Sequence, residues 1–321
     1  MKVLRSFIVL VMLACIMGMG STQYFAKMTV KVINEEGDPV KDADVTIVFT
    51  SSKTAGKGWG TTSEKKVGKS DKDGLFSASG KHNEPRVFGS AQMEGWYSST
   101  DGFDVKNLID NKWHPWNPTI TIILKKKRNP VPMFVKRTDW INIPSFKQPI
   151  GYDLQTGDWV APHGKGKIND FIFNFSTKAH EISYTLSFAN NNDGIQEYEH
   201  KTNDNSSYKW PFEAPEIGYQ SYLFRELKYI DRKMKTNLKK KVNYIYRVRT
   251  VTDEKGQIIK ACYGKIPSEI DVATNGKVKF SYYFNPDGAR NLEFDTEKNL
   301  FIPEGAKKYK SKYDKFTGFS P

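Results

Sequence analysis

The chain has 321 residues, 38% hydrophobic and 13% aromatic, which leaves room for two domains with sizeable cores. A net charge of +13 favours anionic partners such as acidic glycan, lipopolysaccharide or a membrane surface of phospholipid headgroups. The only cysteines are Cys15 and Cys262. Loss of the first with a leader would exclude an internal disulfide and leave stability to the core.

The N-terminus reads as an address. Lys2 and Arg5 precede an apolar run from Phe7 to Met17, and Gly18-Met19-Gly20 offers small residues for cleavage before Ser21. The run is too short to span a bilayer comfortably. Residues 1–20 are therefore expected to be a signal peptide. That makes the chain an exported bacterial protein: periplasmic, outer-membrane-associated or extracellular. Ala14-Cys15 partly resembles a lipoprotein box, although Met12 and Leu13 depart from it. Lipidation at Cys15 is thus the alternative to plain cleavage. Nucleic acid is not an expected partner outside the cytoplasm.

Met28, Val30 and Val32 alternate as one face of a first strand that ends at Ile33. Gly37 and Pro39 form a turn, and Val45, Ile47 and Phe49 alternate again. Asp71-Lys72-Asp73-Gly74 makes a second turn before Leu75 and Phe76. It lacks the later ligands of a helix-loop-helix calcium loop, so it reads as a structural turn. Ile120, Ile122 and Leu124 close the domain. The boundary is expected near Asn129, where charge gives way to prolines.

Gly37-x-Pro39-Val40-x-x-Ala43-x-Val45 with Asp71-x-Asp73-Gly74-x-Phe76 resembles the carboxypeptidase regulatory-domain-like family. Gly95-Trp96-Tyr97 and the strand at 117–124 are similar to later parts of that pattern. The resemblance covers Ala26 to Lys127 and implies a small transthyretin-like β-sandwich over 26–128. Such domains are accessory, and the resemblance implies no catalytic residues. The insertion from Ser51 to Lys66 departs from the pattern.

The part from 129 to 302 is expected to be a larger antiparallel β-sandwich or jelly roll with at most one helix. Phe171, Phe173 and Phe175 alternate, as do Ile182, Tyr184, Leu186 and Phe188. So do Val242 to Thr250 and Val278 to Phe284. Turn signals fall at Asp193-Gly194, Lys255-Gly256 and Asn275-Gly276, the last fitting a two-residue type I′ hairpin. Leu223, Leu227, Ile230, Met234 and Leu238 have helical spacing, although Tyr222, Phe224 and Tyr229 suit a strand. Residues 303–321 are expected to be a flexible basic tail.

Three groups are candidates for function. The loop Gly151–Lys167 gathers Asp153, Asp158, Trp159, His163 and Lys165, either as a binding loop or as a packed connection anchored by Trp159. Trp96, Trp113 and Trp116 form an aromatic patch that either stacks on sugars or packs inside. Lys239, Lys240 and Lys241 either touch an acidic surface or end the helix. Glu197, Glu199 and His200 read as a solvated strand end rather than a metal set. No phosphate loop, nucleophile elbow or paired metal motif is present, so no cofactor is expected. The sequence thus reads as a non-catalytic binding or structural protein of the envelope. The alternative is a secreted polysaccharide-active hydrolase with its carboxylates in the C-terminal domain.

Overall fold

The computed structural model describes residues 23–55, 58–201, 204–303, 316 and 318–321, with backbone alone for 52–55 and 58–60. The proposed signal peptide and Cys15 lie outside the described residues. All regular elements among the described residues are β-strands. The chain divides into two compact units at Lys126/Lys127.

The first unit is a β-sandwich. In one sheet Phe25–Ile33 lies between Leu75–Lys81, antiparallel to it, and Thr119–Ile123, parallel to it. Register pairs Val30 with Ile120 and Val32 with Ile122, so the first and last strands close the sheet. The other sheet runs Gly58–Lys69, Asp44–Ala55, Arg86–Gln92, Ser99–Asp104. Met28, Val30, Val32, Val45, Ile47 and Phe49 are completely buried between the sheets. The insertion from Ser51 to Lys66 extends the hairpin of the second sheet, with Phe49 opposite Glu64 and Ser52 opposite Thr61.

One turn recurs three times. Asp71 Oδ1 accepts from the amides of Asp73 and Leu75, the Gly74 amide donates to the Asp71 carbonyl, and the Asp71 amide donates to the Leu75 carbonyl. Asp253 makes the same set with Lys255, Gln257 and Gly256. Asn34 closes Gly37 and Asp38 in the same way. An Asx side chain mimics backbone at the start, and a left-handed glycine returns the strand. Gly74 has φ +75°, and a Cβ there would lie 2.3 Å from the Val32 carbonyl oxygen. Gly74→Val is therefore expected to destabilise by about 1–3 kcal/mol, read as a lowered urea midpoint.

The second unit is a larger sandwich of two six-stranded sheets. One runs Gly194–Tyr198, Asn243–Thr252, Ile258–Ile266, Ser281–Asn285, Val131–Arg137, Phe294–Asn299. The other runs Asp158–Trp159, Ile150–Asp153, Phe171–Lys178, Glu181–Ser187, Tyr222–Ile230, Lys233–Thr236. Their inner faces meet in a core led by aromatics: Phe171, Phe173, Phe175, Tyr184, Tyr244, Tyr246, Phe280, Tyr282 and Phe284. Edge-to-face pairs recur in it, such as Phe171 on Tyr246 at 5.0 Å.

Two expectations are corrected by the structure. The segment with helical spacing is a hairpin, Tyr222–Ile230 against Lys233–Thr236. Leu223, Arg225 and Leu227 point inward while Tyr222 and Phe224 point outward, so period two prevails. The turn residues Asp231 and Arg232 both have positive φ, +50° and +62°, which makes a type I′ turn without Asn or Gly. At Asn275-Gly276 only the glycine of the pair is left-handed, and its amide donates to Ala273. That is a three-residue turn with a glycine bulge instead of type I′. Most of the expected basic tail, residues 304–315 and 317, lies outside the described residues. Phe319 packs on Tyr283 at 5.6 Å, and the Tyr283 hydroxyl donates to the Ser320 carbonyl.

Candidate functional site

The loop Gly151–Lys167 is built around its carboxylates. Asp153 is buried and accepts from the amides of Gln155, Thr156, Lys167 and Ile168 and from the Thr156 hydroxyl. Burial alone would raise its pKa, but these donors hold it below the ordinary carboxylate value. Asp158 accepts from the amides of Trp159 and Lys165. Trp159 is buried against Tyr152 and Phe173. The His163 amide donates to the Val160 carbonyl, and Lys165 is exposed. The five residues thus share one loop; the two carboxylates serve its shape, while His163 Nε2 is buried with no hydrogen-bond partner.

The three tryptophans differ in surroundings. Trp96 and Trp113 pack against the first core, and the Trp113 indole donates to the His82 carbonyl at 2.8 Å. Trp116 is exposed, with the Lys112 ammonium 5.5 Å from its ring centroid. Of the three, Trp116 offers an open face.

Two arginines each gather a pair of carboxylates. Arg249 forks onto Asp170 at 2.8 and 2.9 Å and lies 3.6 Å from Asp153. It sits on a bulge of its strand with φ +56°. Burial raises the pKa of Asp170 against the opposing pull of Arg249. Arg225 donates to Glu197, to Glu269 and to the Tyr244 hydroxyl at 2.7, 2.9 and 2.8 Å. Glu197 also receives the Lys239 ammonium. Burial would raise the Glu197 pKa, but Lys239 and Arg225 hold it below its ordinary value. In both clusters the carboxylates are engaged by a guanidinium.

Beside the Arg225 cluster the surface opens into a cavity of about 530 Å³. It is lined by Glu199, His200, Lys240, Lys241, Val242, Asn243, Pro267 and Ser268. The strand Gly194–Tyr198 delivers Glu199 and His200, and the run after the Lys233–Thr236 strand delivers the lysines. Three neighbours fix His200. Its Nδ1–H donates to the Lys209 carbonyl at 3.0 Å, and its ring lies edge-on to Trp210 and Tyr198. Burial lowers its pKa, opposed by that carbonyl. The ring is therefore neutral at pH 7, and the cavity's lysines, Lys240 and Lys241, outnumber its one acidic residue, Glu199. Among the described residues, no group of three or more His, Cys, Asp or Glu side chains is placed to hold a metal ion.

The sequence singled out Lys239–Lys241 and the 197–200 stretch separately. It gave no sign that they meet, because the contact joins residues about forty apart through Arg225 and Glu269. Lys239 belongs to the ion cluster, while Lys240 and Lys241 face the cavity.

No protein-family model matches the sequence, and no curated protein matches it. Among solved structures, a mutant of the shaft pilin SpaA from Lactobacillus rhamnosus GG aligns over 71% of this chain and 89% of its own. Its identity is 8% and its TM-score 0.21. The Streptococcal ancillary pilin aligns over 86% of this chain and 62% of its own, at 10% identity and a TM-score of 0.20. Superposition this loose says nothing about function.

Proposed function

We propose that the chain is an exported protein with a non-catalytic binding or structural role, and that its second unit binds an anionic glycan in the cavity at His200. The observation that carries this is the wall of that cavity. Lys240 and Lys241 outnumber its single acidic residue, Glu199, and line it together with Asn243, Ser268, Val242 and Pro267, a mixture that suits a sugar bearing carboxylate or sulfate. The first unit, with its Gly37 and Gly74 turns, is read as an accessory module of the carboxypeptidase regulatory-like kind. The residues from Lys2 to Gly20 support export as a signal peptide, with lipidation at Cys15 the alternative.

Binding of polygalacturonate is expected to fall steeply between low and physiological salt, because exposed charges are screened. Lys240→Gln with Lys241→Gln should reduce affinity about tenfold, taking about 0.7 kcal/mol for each exposed charge contact. Lowering the pH through the depressed pKa of His200 adds a positive charge to the cavity and should tighten binding below pH 6.5. Absence of binding at low salt would reduce the net charge to a solubility feature. A second reading, a polysaccharide hydrolase, is favoured by the placement of Glu199 and His200 in one cavity. New reducing ends that vanish in Glu199→Gln would establish it over the first.

A further inference from the structure

The hairpin that replaces the expected helix has features a solvated edge does not need. Strand Glu181–Ser187 stops opposite Lys228, and the last bond from the body is the Tyr229 amide to the His180 carbonyl at 2.9 Å. Beyond it, Ile230 to Lys233 continue past the sheet and turn at Asp231-Arg232. Tyr229 and Met234 face each other across the strands, yet they are 45% and 53% exposed. Ile230 is 41% exposed on the opposite face. The last deeply buried residue of the hairpin is Leu227, so these three side chains add nothing to the core.

Charge surrounds this apolar tip. Residues 228–235 contain Lys228, Arg232, Lys233 and Lys235 against a single carboxylate, Asp231. Lys228 and Lys235 lie directly opposite each other, a like-charge pair that destabilises a ladder in water. Glu226 relieves only the first of them, at 3.1 Å. Exposed apolar residues and the remaining cations, Arg232, Lys233 and Lys235, are both accommodated by one kind of surface: hydrocarbon below and anions around it. Long cationic stems can lie along the boundary while Tyr229, Ile230 and Met234 enter it.

We propose that the tip of this hairpin, Tyr229 to Met234, docks on an anionic lipid bilayer. Its apolar side chains sit at the acyl boundary, and Arg232, Lys233 and Lys235 lie among the headgroup phosphates. The site is separate from the cavity at His200, so the chain could hold a glycan and a membrane at once.

An environment-sensitive fluorophore tests this locally. The full chain carrying Cys15→Ser and Met234→Cys is labelled with nitrobenzoxadiazole; Cys262 is buried and stays unreacted. A probe at 234 does not report adsorption through residues 1–20. On equimolar phosphatidylglycerol and phosphatidylcholine vesicles at low salt, emission should rise several-fold and shift to the blue. On phosphatidylcholine alone it should barely change. Adding Arg232→Gln, Lys233→Gln and Lys235→Gln should abolish the rise while far-ultraviolet circular dichroism stays the same. No rise on the anionic vesicles overturns the proposal. An equal rise with polygalacturonate and no lipid also overturns it and assigns the tip to polysaccharide. Lys240→Gln with Lys241→Gln should leave the vesicle response intact, so failure of the glycan reading and failure of this one are told apart.

Discussion

Arg225→Leu is expected to destabilise the second unit by about 3–5 kcal/mol, the usual consequence of removing one partner from a buried ion cluster. The Arg225 and Glu269 side chains are 8% and 5% exposed. Glu269 Oε2 accepts from the Arg225 Nε–H and from the Lys239 amide, and Oε1 accepts from the Tyr244 hydroxyl at 2.5 Å. Without the guanidinium this carboxylate keeps its neutral donors but loses its counter-charge in a site that water does not reach. Glu197 matters less, because it is partly exposed and keeps Lys239. The measurement is a urea midpoint for Arg225→Leu, for Glu269→Leu and for the double variant. The double variant should recover much of the loss, because the orphaned charge goes with its partner. A shift below about 1 kcal/mol for Arg225→Leu would show the cluster to be as weak as a surface pair.

That cluster also marks the limit of what the residues reveal in order. Alternation alone identified the inner faces of both sandwiches: Met28 to Val32, Phe171 to Phe175, Ile182 to Leu186 and Val278 to Phe284 each present a buried face. A half-buried strand repeats locally every two residues, so its signal needs no knowledge of its partner. The turns at Gly37, Gly74 and Gly256 were legible for the same reason, since an Asx residue and a glycine three positions on close each one locally.

The hairpin at 222–236 was not legible, and two physical causes combined. Arg225 is a charged residue at an inward position, so the buried stripe of Leu223, Arg225 and Leu227 did not read as apolar. The type I′ turn uses Asp231 and Arg232, whose positive φ is offset by cross-strand pairing instead of being relieved by glycine. What remained was Leu223, Leu227, Ile230, Met234 and Leu238, whose spacing imitates a helix. The cavity at His200 was illegible for a different reason. Its two halves, 199–200 and 240–243, are joined by sheet register and by Pro267 and Ser268 from a third segment. The loop at 151–167 was legible as an unusual stretch, but its acids turn inward to cap backbone amides. Composition cannot separate that use from a binding site.

Lys265→Met is expected to stabilise the second unit at pH 7, by on the order of 1–4 kcal/mol, as apolar replacement of buried charge often does. Lys265 is completely buried. Its ammonium donates to the Leu292 carbonyl at 2.8 Å and lies 4.7, 5.1 and 5.3 Å from the rings of Tyr283, Trp210 and Tyr208. Burial drives its pKa well below 10.5, with the Glu293 carboxylate opposing. Above pH 10.5 the amine is neutral folded and unfolded, and burial carries no charge penalty. As pH falls below 10.5 the unfolded chain takes up a proton that the folded chain resists, so the penalty grows until the depressed folded pKa is reached. Native stability should therefore rise with pH from that folded value up to 10.5. The Lys265→Met variant should lack this slope, and the two curves should cross at alkaline pH. There the native amine regains the advantage of its bond to Leu292, about 1 kcal/mol. Denaturant midpoints at about pH 7, 9 and 10.5 decide it. Parallel curves would mean that Lys265 stays charged in the folded state, held by the three rings and by Glu293.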